Sequence, residues 1–201
     1  WKQGAKGLPW FLGDSVNMGI GQGDLLATPL QMAVVAATLA NRGRLVQPRM
    51  MRGIDSPESG DGESSRPSKQ IALEQVSTQD WENMVAALED VVHRGNQGFR
   101  GNGTAWAYIG QDIDYRMAGK SGTAQVVEIS QGEEYDEEIL SEFDRNHAWF
   151  IAFAPVENPT IALAVLVENG GGGSSVAAPV ARAVIDAHMQ KAESERVAQR
   201  E

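Results

Sequence analysis

The sequence predicts an α+β fold, an antiparallel sheet with helices packed on its faces. Three observations carry this. Two segments, His147–Ala154 and Thr160–Glu168, are apolar on both alternating faces, the pattern of strands covered by a layer on each side. Only the short, proline-bounded stretch Pro155–Pro159 separates them, so they form a hairpin and run antiparallel. Segments of helical period lie before them and after them, which suits helices layered on a sheet.

Taken in order, residues 1–23 are rich in Gly and Trp and read as ordered loop. Thr28-Pro29 then opens a helix, with Thr as the capping residue and Pro at the first helical position. Leu30, Ala33, Val34, Ala37 and Leu39 continue it until Asn41-Arg42-Gly43 ends it. Residues 55–70 are a polar Gly/Pro/Ser-rich insertion, expected to be mobile. Thr78 is expected to cap a second helix with Trp81, Val85, Leu88, Val91 and Val92 on its apolar side. That helix stops near Arg94-Gly95, before the glycine-rich 95–103 loop.

Arg116–Ile129 is the first strand candidate of the main sheet. Between it and the hairpin lies Glu128–Asn146, with eight carboxylates and one base, Arg145, which reads as a solvated acidic loop. Gly170–Gly173 breaks the last strand. Pro179 begins a final helix with Val180, Val184, Ile185 and Met189 on one side, and 191–201 reads as a solvated polar tail.

Composition removes several function classes. A formal charge of −10 argues against nucleic acid, because phosphate binding needs clustered Lys and Arg. The absence of cysteine excludes disulfides and thiolate metal sites. The longest apolar runs, such as Ile161–Val167, are too short to span a bilayer, and none of these 201 residues reads as a signal peptide. The opening Trp1-Lys2-Gln3, without an initiator Met, fits a fragment or a processed product.

Two glycine-rich motifs fail on inspection. Gly119-Lys120-Ser121 resembles the end of a phosphate-binding P-loop, but the first glycine of that motif would fall on Asp114, and the residues after Ser121 favour strand over helix. In Gly19-Ile20-Gly21-Gln22-Gly23 the third glycine of a dinucleotide fingerprint would fall on Asp24. His93, His147 and His188 have no metal-ligand spacing and read as structural, with His93 near a helix C-terminus that favours positive charge.

The stretch Met117–Val127 holds the chemistry. It sets a cation (Lys120), two hydroxyls (Ser121, Thr123) and a glycine (Gly122) on a strand that can grip an anionic peptide end and offer backbone N–H groups to a reacting carbonyl. No serine is followed three residues later by lysine, so an activated serine of that kind is expected outside these 201 residues.

Several ordered blocks resemble the C-terminal part of the class B penicillin-binding proteins. They are Gly19-Ile20-Gly21-Gln22-Gly23, Thr28-Pro29-Leu30-Gln31-Met32-Ala33, Leu39-Ala40-Asn41-Arg42-Gly43, Ala118–Val126, Trp149–Pro155 and Glu168-Asn169-Gly170-Gly171. The likeness covers nearly the whole chain apart from the 55–70 insertion, the acidic loop and the tail, so residues 1–201 read as a C-terminal portion of a transpeptidase domain. Of the family's three motifs only Lys-Ser/Thr-Gly is present, as Lys120-Ser121-Gly122. Ser15-Val16-Asn17 mimics a second, but it abuts the Gly-Ile-Gly-Gln-Gly block, whereas the family's Ser-x-Asn lies well upstream, so it reads as coincidence.

The resemblance implies an incomplete penicillin-binding protein/serine β-lactamase-like fold and a peptidoglycan D,D-transpeptidase working through an acyl-serine. Lys120, Ser121, Gly122 and Thr123 would bind substrate, Lys120 would act in catalysis, and the Thr123 backbone N–H would be one oxyanion donor. It further implies peptidoglycan stem peptides and β-lactams as ligands and no cofactor. A SEDS-family glycosyltransferase and the elongation machinery would be partners, at a periplasmic location anchored to the inner membrane by an upstream segment. Two other readings share these features: a relative that keeps the fold as a scaffold without catalysis, and a D-Ala-D-Ala carboxypeptidase or serine β-lactamase. The Thr28-Pro29-Leu30-Gln31 block favours the class B transpeptidases over the latter.

Overall fold

The computed structural model describes residues 2–21, 23, 25–49, 70–73, 75–98, 101–126 and 140–198. The insertion expected at 55–70 therefore lies outside the described residues except for Gln70, and so does the 128–139 part of the acidic loop.

The amino-terminal stretch differs from the expected loop. It holds two short helices, α1 (Lys2–Lys6) and α2 (Leu12–Gly19), neither of which buries a residue. Local polar contacts rather than a core hold them. The Asp14 carboxylate accepts from the Phe11 N–H at 2.8 Å and pairs with Lys2. Helix α3 (Pro29–Ala40) starts as expected: Thr28 Oγ1 accepts from the Gln31 N–H (3.2 Å) while Gln31 Oε1 accepts from the Thr28 N–H (2.8 Å), a reciprocal cap. It buries three small side chains, Ala36, Thr38 and Ala40, and leaves Leu30 exposed.

Strands β1 (Arg44–Val46) and β2 (Gln70–Ala72) pair antiparallel. Helix α4 (Thr78–His93) is capped one residue earlier than expected, by Ser77, whose hydroxyl accepts from the Asp80 N–H. Val85, Leu88 and Val92 form its buried stripe, with Trp81 and Val91 partly covered. A short helix, α5 (Trp106–Ile109), follows.

The main sheet has the order β3 (Ala118–Ala124), β4 (His147–Ala154), β5 (Ile161–Val167), antiparallel throughout, so β4 is central. β3 is shorter than the expected Arg116–Ile129 strand at its start, and Gln125 and Val126 also lie beyond its end. The hairpin over Pro155–Thr160 is closed by the Thr160 N–H donating to the Ala154 carbonyl. The last helix, α6 (Ala178–Ala198), is preceded by a π-helical turn at Gly173–Ala177. It runs through much of the expected polar tail, because Lys191–Ala198 is built of good helix formers.

Alternation along β4 sorts its side chains into two cores. Ala148, Phe150, Ala152 and Ala154 join Met117 against Ala177, Ala178, Ala181 and Ile185, with Val92, Ala105 and Ile109 alongside. Phe153 and Ala118 face the other way, onto Ala40, Val85, Leu88 and Val156. Full burial of a Phe side chain such as Phe150 is worth about 1.5–3 kcal/mol before other costs. The alanine-rich first core brings the π-turn and α6 close to the sheet backbone.

Candidate active site

Among the described residues β3 has one neighbour, so its other edge is open. The strand is anchored at its start, where Met117 and Ala118 are fully buried, and emerges as exposed Lys120, half-buried Ser121 and Gly122, and exposed Thr123. Register fixes the faces. Lys120 lies opposite Ile151 and Gly122 opposite Trp149, on the face covered by α3 and α4. Ser121 opposite Phe150 and Thr123 opposite Ala148 point to the face covered by the π-turn and α6. Cation and hydroxyls therefore flank the strand edge from two sides.

The edge itself follows from hydrogen-bond alternation. The Arg116 carbonyl accepts from the Val156 N–H at 2.9 Å, which directs residue 116 toward the β4 side. The Gly122 backbone N and O and the Trp149 carbonyl oxygen crowd one point beneath Gly173, so Gly122 also faces β4. Residues of the other parity, Ser121 and Thr123, accordingly turn their N–H and C=O groups to the open edge. The Lys120 ammonium donates to the Ser121 carbonyl at 2.6 Å, as that orientation permits.

Three groups of contacts steady the segment that leads into the strand. The Met117 N–H donates to His93 Nε2 at 3.0 Å. This corrects the expected cationic role of His93: Nε2 needs its lone pair, and burial, with Arg116 and Arg182 adding to it against Glu89, holds the imidazole pKa below its usual 6.5. Arg116 bridges Glu89 and Glu157 on the surface. Tyr115 donates to Asp186 at 2.6 Å, and Arg182 binds Asp186 and the Ile109 and Asp112 carbonyls, lashing the 109–115 segment to α6. Burial, then the bond to Asp186, raises the Tyr115 pKa well above its ordinary value.

The remaining candidates stay apart. His147 Nδ1 accepts from the Asn169 N–H (2.9 Å), and His188 Nε2 meets Thr160 Oγ1 (3.1 Å), both structural contacts. Ser15 sits on exposed α2, where its hydroxyl accepts from Trp10 Nε1. Among the described residues no cluster of His, Asp or Glu could hold a metal ion.

The described residues thus form an α+β unit in which a three-strand antiparallel sheet between helical layers is edged by Lys-Ser-Gly-Thr. The chain belongs to the penicillin binding protein transpeptidase domain family, whose model matches residues 2–186. It is 39% identical over 191 residues to the peptidoglycan D,D-transpeptidase MrdA of Haemophilus influenzae, covering 95% of this chain and 28% of that protein. Among solved structures it is similar to Pseudomonas aeruginosa PBP2 in complex with WCK 5153 (38% identity, TM-score 0.71, 93% of this chain and 35% of that one). It is also similar to penicillin-binding protein A from M. tuberculosis as a penicillin G acyl-enzyme complex (31% identity, TM-score 0.61, 86% of this chain and 34% of that one). The chain thus spans roughly a third or less of the length of these relatives.

Proposed function

We propose that this chain is the substrate-binding portion of a peptidoglycan D,D-transpeptidase, with Lys120, Ser121, Gly122 and Thr123 as its contribution to the site. The observation that carries the reading is the open edge of β3, with Lys120 on one side and the Ser121 and Thr123 hydroxyls on the other. An extended stem peptide adds to that edge as a strand. Its terminal carboxylate takes charge-assisted contacts from Lys120 and the two hydroxyls. Gly122, without a Cβ, leaves the close approach free.

A serine outside residues 1–201 attacks the penultimate D-Ala carbonyl, whose oxygen becomes anionic. The Thr123 N–H donates to that oxygen alongside the serine's own N–H; one such donor is worth about 3 kcal/mol in the transition state. The C–N bond breaks and D-Ala departs as the protonated amine. An amine of a second stem then displaces the serine, forming the cross-link and returning the proton to the hydroxyl. β-Lactams acylate the same serine and remain. The likeness to a relative solved as a penicillin G acyl-enzyme supports this half of the scheme. A membrane-anchored parent facing the periplasm, working with a glycosyltransferase of cell elongation, fits the same reading; among the described residues no helix is long and apolar enough to cross a membrane.

The test is labelled-penicillin acylation of the full-length protein that carries this sequence. Wild type is expected to form a covalent adduct, and Lys120→Ala to slow it about 10- to 100-fold, the worth of one or two lost charge-assisted contacts. Lys120 is exposed, so the melting temperature is expected to hold. No adduct in the wild type refutes the reading, unaltered acylation in Lys120→Ala removes that residue from it, and an adduct on residues 1–201 alone would place the nucleophile within this chain.

A further inference from the structure

Gly173 opens the π-turn that leads into α6, and it lies directly on the sheet backbone. A Cβ there would come within 2.4 Å of the Trp149 carbonyl oxygen, 2.5 Å of the Gly122 oxygen and 3.0 Å of the Gly122 nitrogen. All three are backbone atoms, and at least one is about 0.9 Å or more inside ordinary van der Waals contact, so no side-chain rotation relieves the clash. The approach is possible because Trp149 directs its side chain to the opposite face and Gly122 has none, while Ala148 and Ala177 keep the layer thin.

The Gly122 carbonyl and the Thr123 N–H belong to one planar peptide unit, and they point in opposite directions from it. Whatever displaces the Gly122 oxygen tilts that plane and swings the Thr123 N–H the other way. We propose that Gly173 is a positioning residue: its bare Cα, seated on the Gly122–Trp149 pair, sets the tilt of the 122–123 peptide and thereby aims the Thr123 N–H at the reacting oxygen. The inference rests on the oxyanion role given to Thr123 above and identifies what holds that donor in place. Tolerances at such sites are about 0.5 Å, and a methyl group at residue 173 exceeds them.

The decisive experiment separates noncovalent binding of a labelled penicillin (Ks) from acylation (k2) in the full-length protein. Gly173→Ala is expected to lower k2 about 10²-fold, the scale of a misdirected oxyanion donor, with Ks within threefold of wild type. The control is Gly172→Ala/Ser175→Ala. The Cβ of residue 172 would meet only the Ser175 side chain, its hydroxyl at 2.6 Å, so the double change relieves that clash, gives up only the exposed 3.3 Å bond from the hydroxyl to the Gly172 carbonyl, and touches neither Gly122 nor Trp149; k2 is expected at the wild-type value. If Gly173→Ala fails to fold, Ala177→Gly, which loosens the seat of the same turn, is expected to lower k2 about tenfold. A k2 within threefold of wild type in the folded member of that pair overturns the proposal, as does an equal loss in the control. If wild type itself is not acylated, the transpeptidase reading fails instead. Gly173 is then judged on the ¹H–¹⁵N resonance of Thr123, which is expected to shift in Gly173→Ala and not in the control; an unmoved resonance overturns the inference on its own.

Discussion

Replacing His93 perturbs β3 at its root without touching the open edge. The Met117 residue is fully buried and its N–H donates to His93 Nε2. His93→Ala leaves that donor without its partner, which costs about 1–3 kcal/mol, and removal of the half-buried ring adds about 1 kcal/mol of lost packing. His93→Gln restores an acceptor and is expected to cost about half as much. The pH dependence has a definite sign. The folded-state pKa lies below 6.5, chiefly through burial, so between that value and 6.5 the unfolded chain binds more protons than the folded one. The stabilisation is complete above about pH 6.5 and is lost as pH falls through the folded-state pKa, with a slope that cannot exceed about 1.4 kcal/mol per pH unit for one proton. Residual solvent contact of the ring keeps the slope below that ceiling. Urea unfolding of wild type and His93→Gln from pH 7.5 to 5 reads it as the difference between the two curves, and amide exchange at Met117 reads the local bond. Parallel curves, or Met117 exchange unaltered in His93→Ala, refute the reasoning.

Two stability effects follow from the helix ends. Thr28→Ala removes the hydroxyl half of the reciprocal cap on α3 and is expected to cost about 1 kcal/mol, read as a lower urea midpoint at an unchanged m-value. Gly43 has φ +84° and its Cβ would fall 2.5 Å from the Trp81 ring. Gly43→Ala is therefore expected to cost roughly 2–4 kcal/mol from backbone strain and overpacking together. A shift in Trp emission at the Trp81 site accompanies it; a variant as stable as wild type contradicts the left-handed assignment.

Much of the sheet was legible because burial on both sides writes itself into composition. His147–Ala154 is a strand with the expected ends, since every residue from Ala148 to Ala154 is apolar and Pro155 stops it. α3 was legible at both ends because Thr28-Pro29 and Asn41–Gly43 are local signals. α2 was not. Leu12, Val16 and Ile20 do repeat every four residues, but the run is short and glycine-flanked, none of its residues is buried, and the Asp14 bond to the Phe11 N–H starts the helix. The shift of the α4 cap from Thr78 to Ser77 reflects two adjacent hydroxyls of nearly equal competence, of which Ser77 reaches the Asp80 N–H. The cluster Lys120–Thr123 could be found from residue types and strand context, and strand alternation already splits the cation from the hydroxyls; which layer each of them faces needed the register with β4. The contacts of His93 with Met117 and of Gly173 with Gly122 join residues 24 and 51 positions apart, and no local pattern announces them.

The alanine layer between β4 and α6 has an unusual mechanical character. Ala148, Ala152, Ala154, Ala177, Ala178 and Ala181 are each at most 1% exposed, yet methyl groups bury little area, so this layer is stiff without being strongly adhesive. It contributes accuracy more than cohesion. Drift at these positions toward larger residues would wedge α6 away from the sheet, at about 1–3 kcal/mol for each overpacked site, and the shift would reach β3 through β4.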